Sequence, residues 1–184
     1  MTTLTLKSVG VCAHFSPVGD RALRYALALA RRYHLQLNVF SFVHDPFHPG
    51  VLPRLDELPP EEREGRIAAA DLELREYYED RLGDYLDVGF KICEGRENIE
   101  LRRCLKRGEY QLLVVPYHER GGTFGDLPVE EFARRFLAPV VLVGRWRKVR
   151  YYLNAQAAML ADKLNLFRGT WRLLHPVDRS CEIG

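Results

Sequence analysis

Short runs of apolar, β-prone residues alternate along this chain with longer stretches whose apolar positions recur at helical spacing. That alternation constrains the fold more than any other feature, because parallel strands need crossovers long enough to hold a helix. The first run, Lys7 to His14, stops at Ser16-Pro17, a helix-capping residue followed by Pro at the first helical position. Ala22, Leu23, Ala26, Leu27 and Ala30 then mark the covered face of a helix, with Arg21, Arg24, Arg31 and Arg32 mostly opposite. Leu35 to His44 reads as a second strand. Asp45 to Pro60 carries five of the ten prolines and reads as a loop or lid. A helix from about Glu61, with Ile67, Ala70, Leu74, Tyr78 and Leu82 on one face, runs to a capping Gly83. Strand Tyr85–Cys93, helix Asn98–Gly108 and strand Gln111–His118 follow. A glycine-bearing turn, a helix from about Leu127 to Leu137, and the apolar strand Pro139–Gly144 complete the series. Five strands and four intervening helices predict an α/β fold: a three-layer, doubly wound, five-stranded parallel sheet.

Beyond residue 145 the character changes. We expect a domain over residues 1–145 and an extension over 146–184, made of a basic segment, an amphipathic helix from Tyr151 to Phe167 and a tail. Apolar residues make up 47% of the chain, enough for a core, and 27 Lys and Arg against 25 Asp and Glu leave a net charge of only +2. So small a charge implies neither a nucleic-acid nor a membrane partner. The scattered cysteines Cys12, Cys93, Cys104 and Cys181 fit reduced thiols, and no apolar run reaches the length of a membrane span, so a cytoplasmic location is expected.

Three segments carry a resemblance. Ser16 to Ala30, Glu94 to Leu105 and Glu131 to Val143 resemble the first helix, the third-strand exit and the final helix and strand of a universal stress protein. The resemblance covers about residues 5 to 145 and implies strand order 3-2-1-4-5. It also implies a homodimer through the fifth strand, here Val140, Val141, Leu142 and Val143. Family members that bind ATP carry an acid at the end of strand one and a loop of three spaced glycines, the last followed by Ser or Thr. In this chain His14 stands at the acid's place, and Tyr117, Arg120 and Glu130-Glu131 stand at the places of the glycines and hydroxyl. A helix N-terminus attracts phosphate through free N–H groups and its dipole. Carboxylates opposing it at about 5 Å cost about 1 kcal/mol each in water and more when desolvated. With Asp126, Glu130 and Glu131 there, ATP is disfavoured and no cofactor is expected. Arg120, Gly121, Gly122 and Thr123 retain the means to cradle a smaller anion, or form only a tight turn.

Ligands of open α/β sheets bind at the carboxyl ends of the strands, where the winding reverses. His14, His44 and His118 end strands one, two and four, and His48 follows in the loop. We expect His14, His44 and His118, with the glycine turn, to line a small-ligand site. A zinc-like ion held by His14, His44, His48 and His118 is the sharper alternative, and hydrogen-bonding strand caps are the plainer one. Ser16 and Cys12 lie near His14, but a helix cap and a core thiol explain them without catalysis. Arg145, Arg147, Lys148 and Arg150, interleaved with Trp146, favour shielding of a strand edge over nucleic acid. Leu153, Ala157, Leu160, Ala161 and Leu164 form an apolar stripe that we expect to cross to a second subunit and enlarge the dimer. The expected protein is a non-enzymatic, ATP-independent ligand-binding or regulatory homodimer, with an unidentified small ligand or protein partner. The alternative is a metal-dependent or acid-base enzyme using the strand-end histidines.

Overall fold

The computed structural model describes residues 5–50, 54–118, 122–144, 149–164 and 170–175. Its elements run β1 (Ser8–Cys12), α1 (Pro17–Tyr33), β2 (Gln36–Phe42), α2 (Pro60–Leu82), β3 (Val88–Cys93), α3 (Glu97–Lys106) and β4 (Leu112–Tyr117). Then follow β5 (Thr123–Phe124), β6 (Leu127–Pro128), α4 (Val129–Arg135), β7 (Val140–Gly144), β8 (Tyr151–Leu153), α5 (Ala155–Leu164) and β9 (Trp171–Leu173). The main sheet has the order β3-β2-β1-β4-β7-β8-β9. Its first five members are parallel and reproduce the expected order, β7 being the fifth strand of the sequence reading.

Alternation within the strands explains the three layers. Val9, Val11, Leu37, Val39, Leu112 and Val114 face one side and pack with α1, α2 and α5. Cys12, Phe40, Leu113 and Val115 face the other and pack with Leu101 of α3 and Phe132 and Ala133 of α4. Ser16 caps α1, its Oγ accepting the Gly19 N–H at 3.1 Å. Leu74, Tyr78 and Leu82 form the buried stripe of α2.

The extension departs from expectation. Tyr151–Leu153, read as the start of a helix, is instead β8, which pairs antiparallel with β7 in the register Val141↔Leu153, Leu142↔Tyr152, Val143↔Tyr151. β9 then pairs parallel with β8, giving seven strands where five were expected. Asn154 explains the break between β8 and α5. Fully buried, its Oδ1 accepts the N–H groups of Val140 and Ala157, both at 3.0 Å. Its Nδ2 donates to the carbonyls of Ala133 (3.0 Å) and Ala138 (2.8 Å). One side chain thus caps α5 and ties it to both ends of the α4–β7 connection. Ala157, Leu160 and Ala161 of the stripe expected to reach a second subunit bury into the core of their own chain. β7 also has neighbours on both sides, so the strand edge expected to build a homodimer is occupied by β8. Arg145, Trp146, Arg147, Lys148 and Phe167 lie outside the described residues.

Candidate functional site

Winding reverses between β1 and β4, which lie side by side in the sheet while their crossovers leave in opposite directions. His14 leaves the end of β1 and His118 the end of β4. Their rings approach to 4.8 Å between centroids, at 58°. The segment after β2 folds over them: Phe47 meets the His14 ring edge-on at 4.8 Å, and His48 lies 6.2 Å from it. An Asx turn shapes that segment, Asp45 Oδ1 accepting the Phe47 N–H at 2.9 Å. Asp45 Oδ2 takes the His48 Nδ1–H at 2.9 Å.

His14 is held from three directions. Its N–H donates to the Tyr78 hydroxyl at 3.0 Å, and that hydroxyl lies 3.3 Å from the His14 carbonyl, to which it donates. Its Nδ1 lies 2.5 Å from Ser16 Oγ. Ser16 Oγ, which accepts from Gly19, therefore links the start of α1 to the His14 ring. Gly19 is required here: a Cβ at that position would run into the His14 carbonyl. Burial lowers the His14 pKa below its ordinary value; His118 and, more weakly, His48 lower it further against the opposing pull of Asp45. The imidazole is therefore neutral at physiological pH. Ser16 Oγ also caps α1, which accounts for its place beside His14.

Two cavities share His14 and His48 as a dividing wall. One, of about 460 Å³, extends toward α2 along Phe15, Phe42, Arg66 and Glu73. The other, of about 350 Å³, extends toward the β5–β6 hairpin along Phe47, Pro116, His118, Gly122, Thr123 and Val129. His14, His48 and His118 therefore do gather at one crevice. His44 lines neither of these two cavities. Its Nε2 accepts the Leu55 N–H at 3.0 Å, pinning the lid segment, and it borders a third cavity of about 550 Å³ together with His48, Arg54, Arg96 and Asp126. Among the described residues no three His, Cys, Asp or Glu are placed to hold a metal ion together.

Arg120 and Gly121 of the expected anion cradle lie outside the described residues. Gly122 and Thr123 lead into the β5–β6 hairpin, where the Gly122 carbonyl accepts the Val129 N–H at 3.1 Å. Gly125 turns that hairpin with φ +65°, its N–H donating to the Pro46 carbonyl at 2.7 Å, and Glu97 packs where a Cβ would stand. α4 begins at Val129, so Asp126, expected in or near its first turn, sits in the hairpin just before it, 3.7 Å from Arg96. Glu130 and Glu131 do occupy that turn. The buried Tyr117 hydroxyl donates to Glu130 Oε1. A phenol and a carboxylate thus fill the β4–α4 junction. The sequence reading missed Tyr78 as a positioning group; its signal was a hydroxyl on an apolar stripe, which needs a buried partner.

These features define a doubly wound α/β protein with a crevice at its switch point. A profile described as the universal stress protein family matches residues 5–144, and the chain belongs to that family. It is similar to a protein of the universal stress protein family from Burkholderia pseudomallei, at 19% identity with 77% of this chain and 98% of that one covered, TM-score 0.51. It is also similar to a universal stress protein solved in complex with cAMP (18% identity, 76% and 97% covered, TM-score 0.48). The universal stress protein UspA of Lactobacillus plantarum is 16% identical, with 93% and 97% covered and TM-score 0.42. No curated protein sequence matches the chain. Among the described residues no helix is long and apolar enough to cross a membrane.

Proposed function

We propose that this protein is a cytoplasmic, non-enzymatic binder of a small ligand, held in the crevice around His14, His48 and His118 without ATP. The approach of His14 and His118 to 4.8 Å, at the switch point and between two cavities, carries this reading. Imidazoles with Phe47 offer flat apolar faces and few, directed polar atoms, the usual make-up of a small-molecule pocket. Against ATP stand the neutral imidazole at the end of β1, the Tyr117–Glu130 pair at the β4–α4 junction, and two carboxylates in the first turn of α4. Pairing of two copies would use a surface other than the outer edge of β7, which β8 covers within the chain.

Native mass spectrometry of freshly purified protein tests the ligand. A retained small molecule whose mass peak disappears in a His14→Ala, His118→Ala variant supports the reading, and retention unchanged by that variant refutes it. Calorimetry with Mg-ATP tests the exclusion: no heat is expected at micromolar nucleotide, and micromolar affinity overturns the claim.

A further inference from the structure

The main sheet has two margins, and they differ. One is β9, three residues long. The other is β3, whose six residues pair with β2 in an unbroken parallel register from Leu37↔Val88 to Phe42↔Cys93. Two bonds fix which way its peptide groups point: the Asp87 carbonyl accepts the Leu37 N–H at 2.9 Å, and the Cys93 carbonyl accepts the Val43 N–H at 3.0 Å. Both peptide groups of a strand residue point to one side, and the side alternates along the chain. Gly89 and Lys91 therefore also bond toward β2, while the N–H and C=O groups of Val88, Phe90 and Ile92 point outward. Among the described residues no strand pairs with that outer edge.

Proteins commonly blunt such an edge with proline, a bulge or a projecting lysine. β3 has no proline and no bulge, and its lysine is drawn inward, Lys91 Nζ meeting Glu109 Oε1 at 2.6 Å. Its flanks also suit a partner. Val88, Phe90 and Ile92 are only half-buried against the core that includes Leu74 and Tyr78 of α2, and Arg75 lies over the Phe90 ring at 5.2 Å. Leu86, just before the strand, is 92% exposed. On the opposite face Gly89 leaves a gap, since a Cβ there would collide with Asn38.

We propose that β3 is the strand through which two copies of this chain pair, antiparallel about a two-fold axis at Phe90. A two-fold axis makes one surface its own complement, and centring it on Phe90 uses every outward residue of the strand. In that register Phe90 faces Phe90 of the other copy and Val88 faces Ile92, each pair exchanging both hydrogen bonds. Their apolar side chains cover one another on the α2 face. On the opposite face Asp87 of the other copy comes diagonally beside Lys91 across Gly89, adding a second carboxylate to the one that Glu109 supplies. Continued by two residues, the register sets Leu86 of one copy against Glu94 of the other, at the wall of a cavity of about 420 Å³ that Glu94 shares with Arg54 and Arg96. Each copy thereby closes one side of a hollow on the other.

The test follows the full chain by sedimentation equilibrium over a dilution series, with amide exchange read by NMR at the dilute and concentrated ends. A reversible dimer is expected. The Val88, Phe90 and Ile92 amides should exchange at least about ten-fold more slowly in the concentrated sample, while the Gly89 and Lys91 amides are protected in both. Phe90→Glu sets two carboxylates against each other on the axis while leaving each beside Arg75 of its own chain, and should raise the dissociation constant about a hundred-fold. Val88→Pro removes an outward N–H without touching the β2 ladder and should also weaken pairing. Circular dichroism checks that both variants fold, and the exchange pattern of the parent chain decides the matter without them. A chain that stays monomeric at every concentration overturns the proposal. So does a dimer whose Phe90 and Ile92 amides exchange equally fast in dilute and concentrated samples, or one that both folded variants leave intact.

Discussion

Tyr117, the last residue of β4, donates its phenolic hydrogen to Glu130 in the first turn of α4, while its ring meets Tyr152 of β8 edge-on at 5.2 Å between centroids. The same side chain therefore joins the β4–α4 junction to the C-terminal extension. Removing only the hydroxyl separates these roles. Tyr117→Phe should cost about 1.5 kcal/mol in urea unfolding, the lower end of the range for a hydrogen bond to a charged group because Glu130 stays partly solvated. The packing against Tyr152 should persist, so tyrosine fluorescence from the remaining residues should shift little.

Asn154 predicts a larger loss. Asn154→Ala strands the N–H groups of Val140 and Ala157 in the core and removes both Nδ2 donations. Buried polar groups without partners are costly, so about 2–4 kcal/mol should be lost in equilibrium unfolding. Hydrogen exchange should place the first protection losses in β8 and α5.

His14 gives the protein a pH dependence with a defined sign. Its folded-state pKa lies below the ordinary 6.5, chiefly through burial. As pH falls through 6.5 the unfolded chain takes up the proton while the folded chain resists it, so stability declines with acid until the folded value is reached. Above 6.5 the group contributes no slope. Chemical denaturation at a series of pH values should show a weaker decline in His14→Gln than in the parent chain.

The pairing of β7 with β8 is testable without mutation. The Gly144 N–H donates to the Arg150 carbonyl at 3.0 Å within the chain. Its exchange protection should therefore be the same at low and high protein concentration. Protection that rises with concentration would show that a second copy supplies the partner strand.

Most of the parallel domain was legible because its signals are local. Ser16-Pro17 announced α1, Gly83 closed α2, and fully apolar runs such as PVVLVG marked strands covered on both faces. The extension was misread for a physical reason. Tyr151–Leu153 has no covered face of its own and becomes a strand only by meeting β7, a pairing no local pattern encodes. Asn154 was the available clue, since Asn before an Ala- and Leu-rich run is a helix cap, and it would have moved the start of α5 to Ala155. At the crevice, strand ends located His14 and His118 correctly. The separation of His44 from them depends on Leu55 arriving from the proline-rich segment, and the spacing of His44 and His48 says nothing about that arrival.

The added strands also change what the molecule shows at its margin. Without them the sheet would finish in Val140–Gly144, a flat row of valine and leucine of the kind on which fibrils grow. With them it finishes in Trp171–Leu173, a rim only three residues long that carries Arg172 at its middle. So brief and charged a border is a poor template for further strands, and β8 and β9 act as a guard on colloidal behaviour as much as an ornament of the fold.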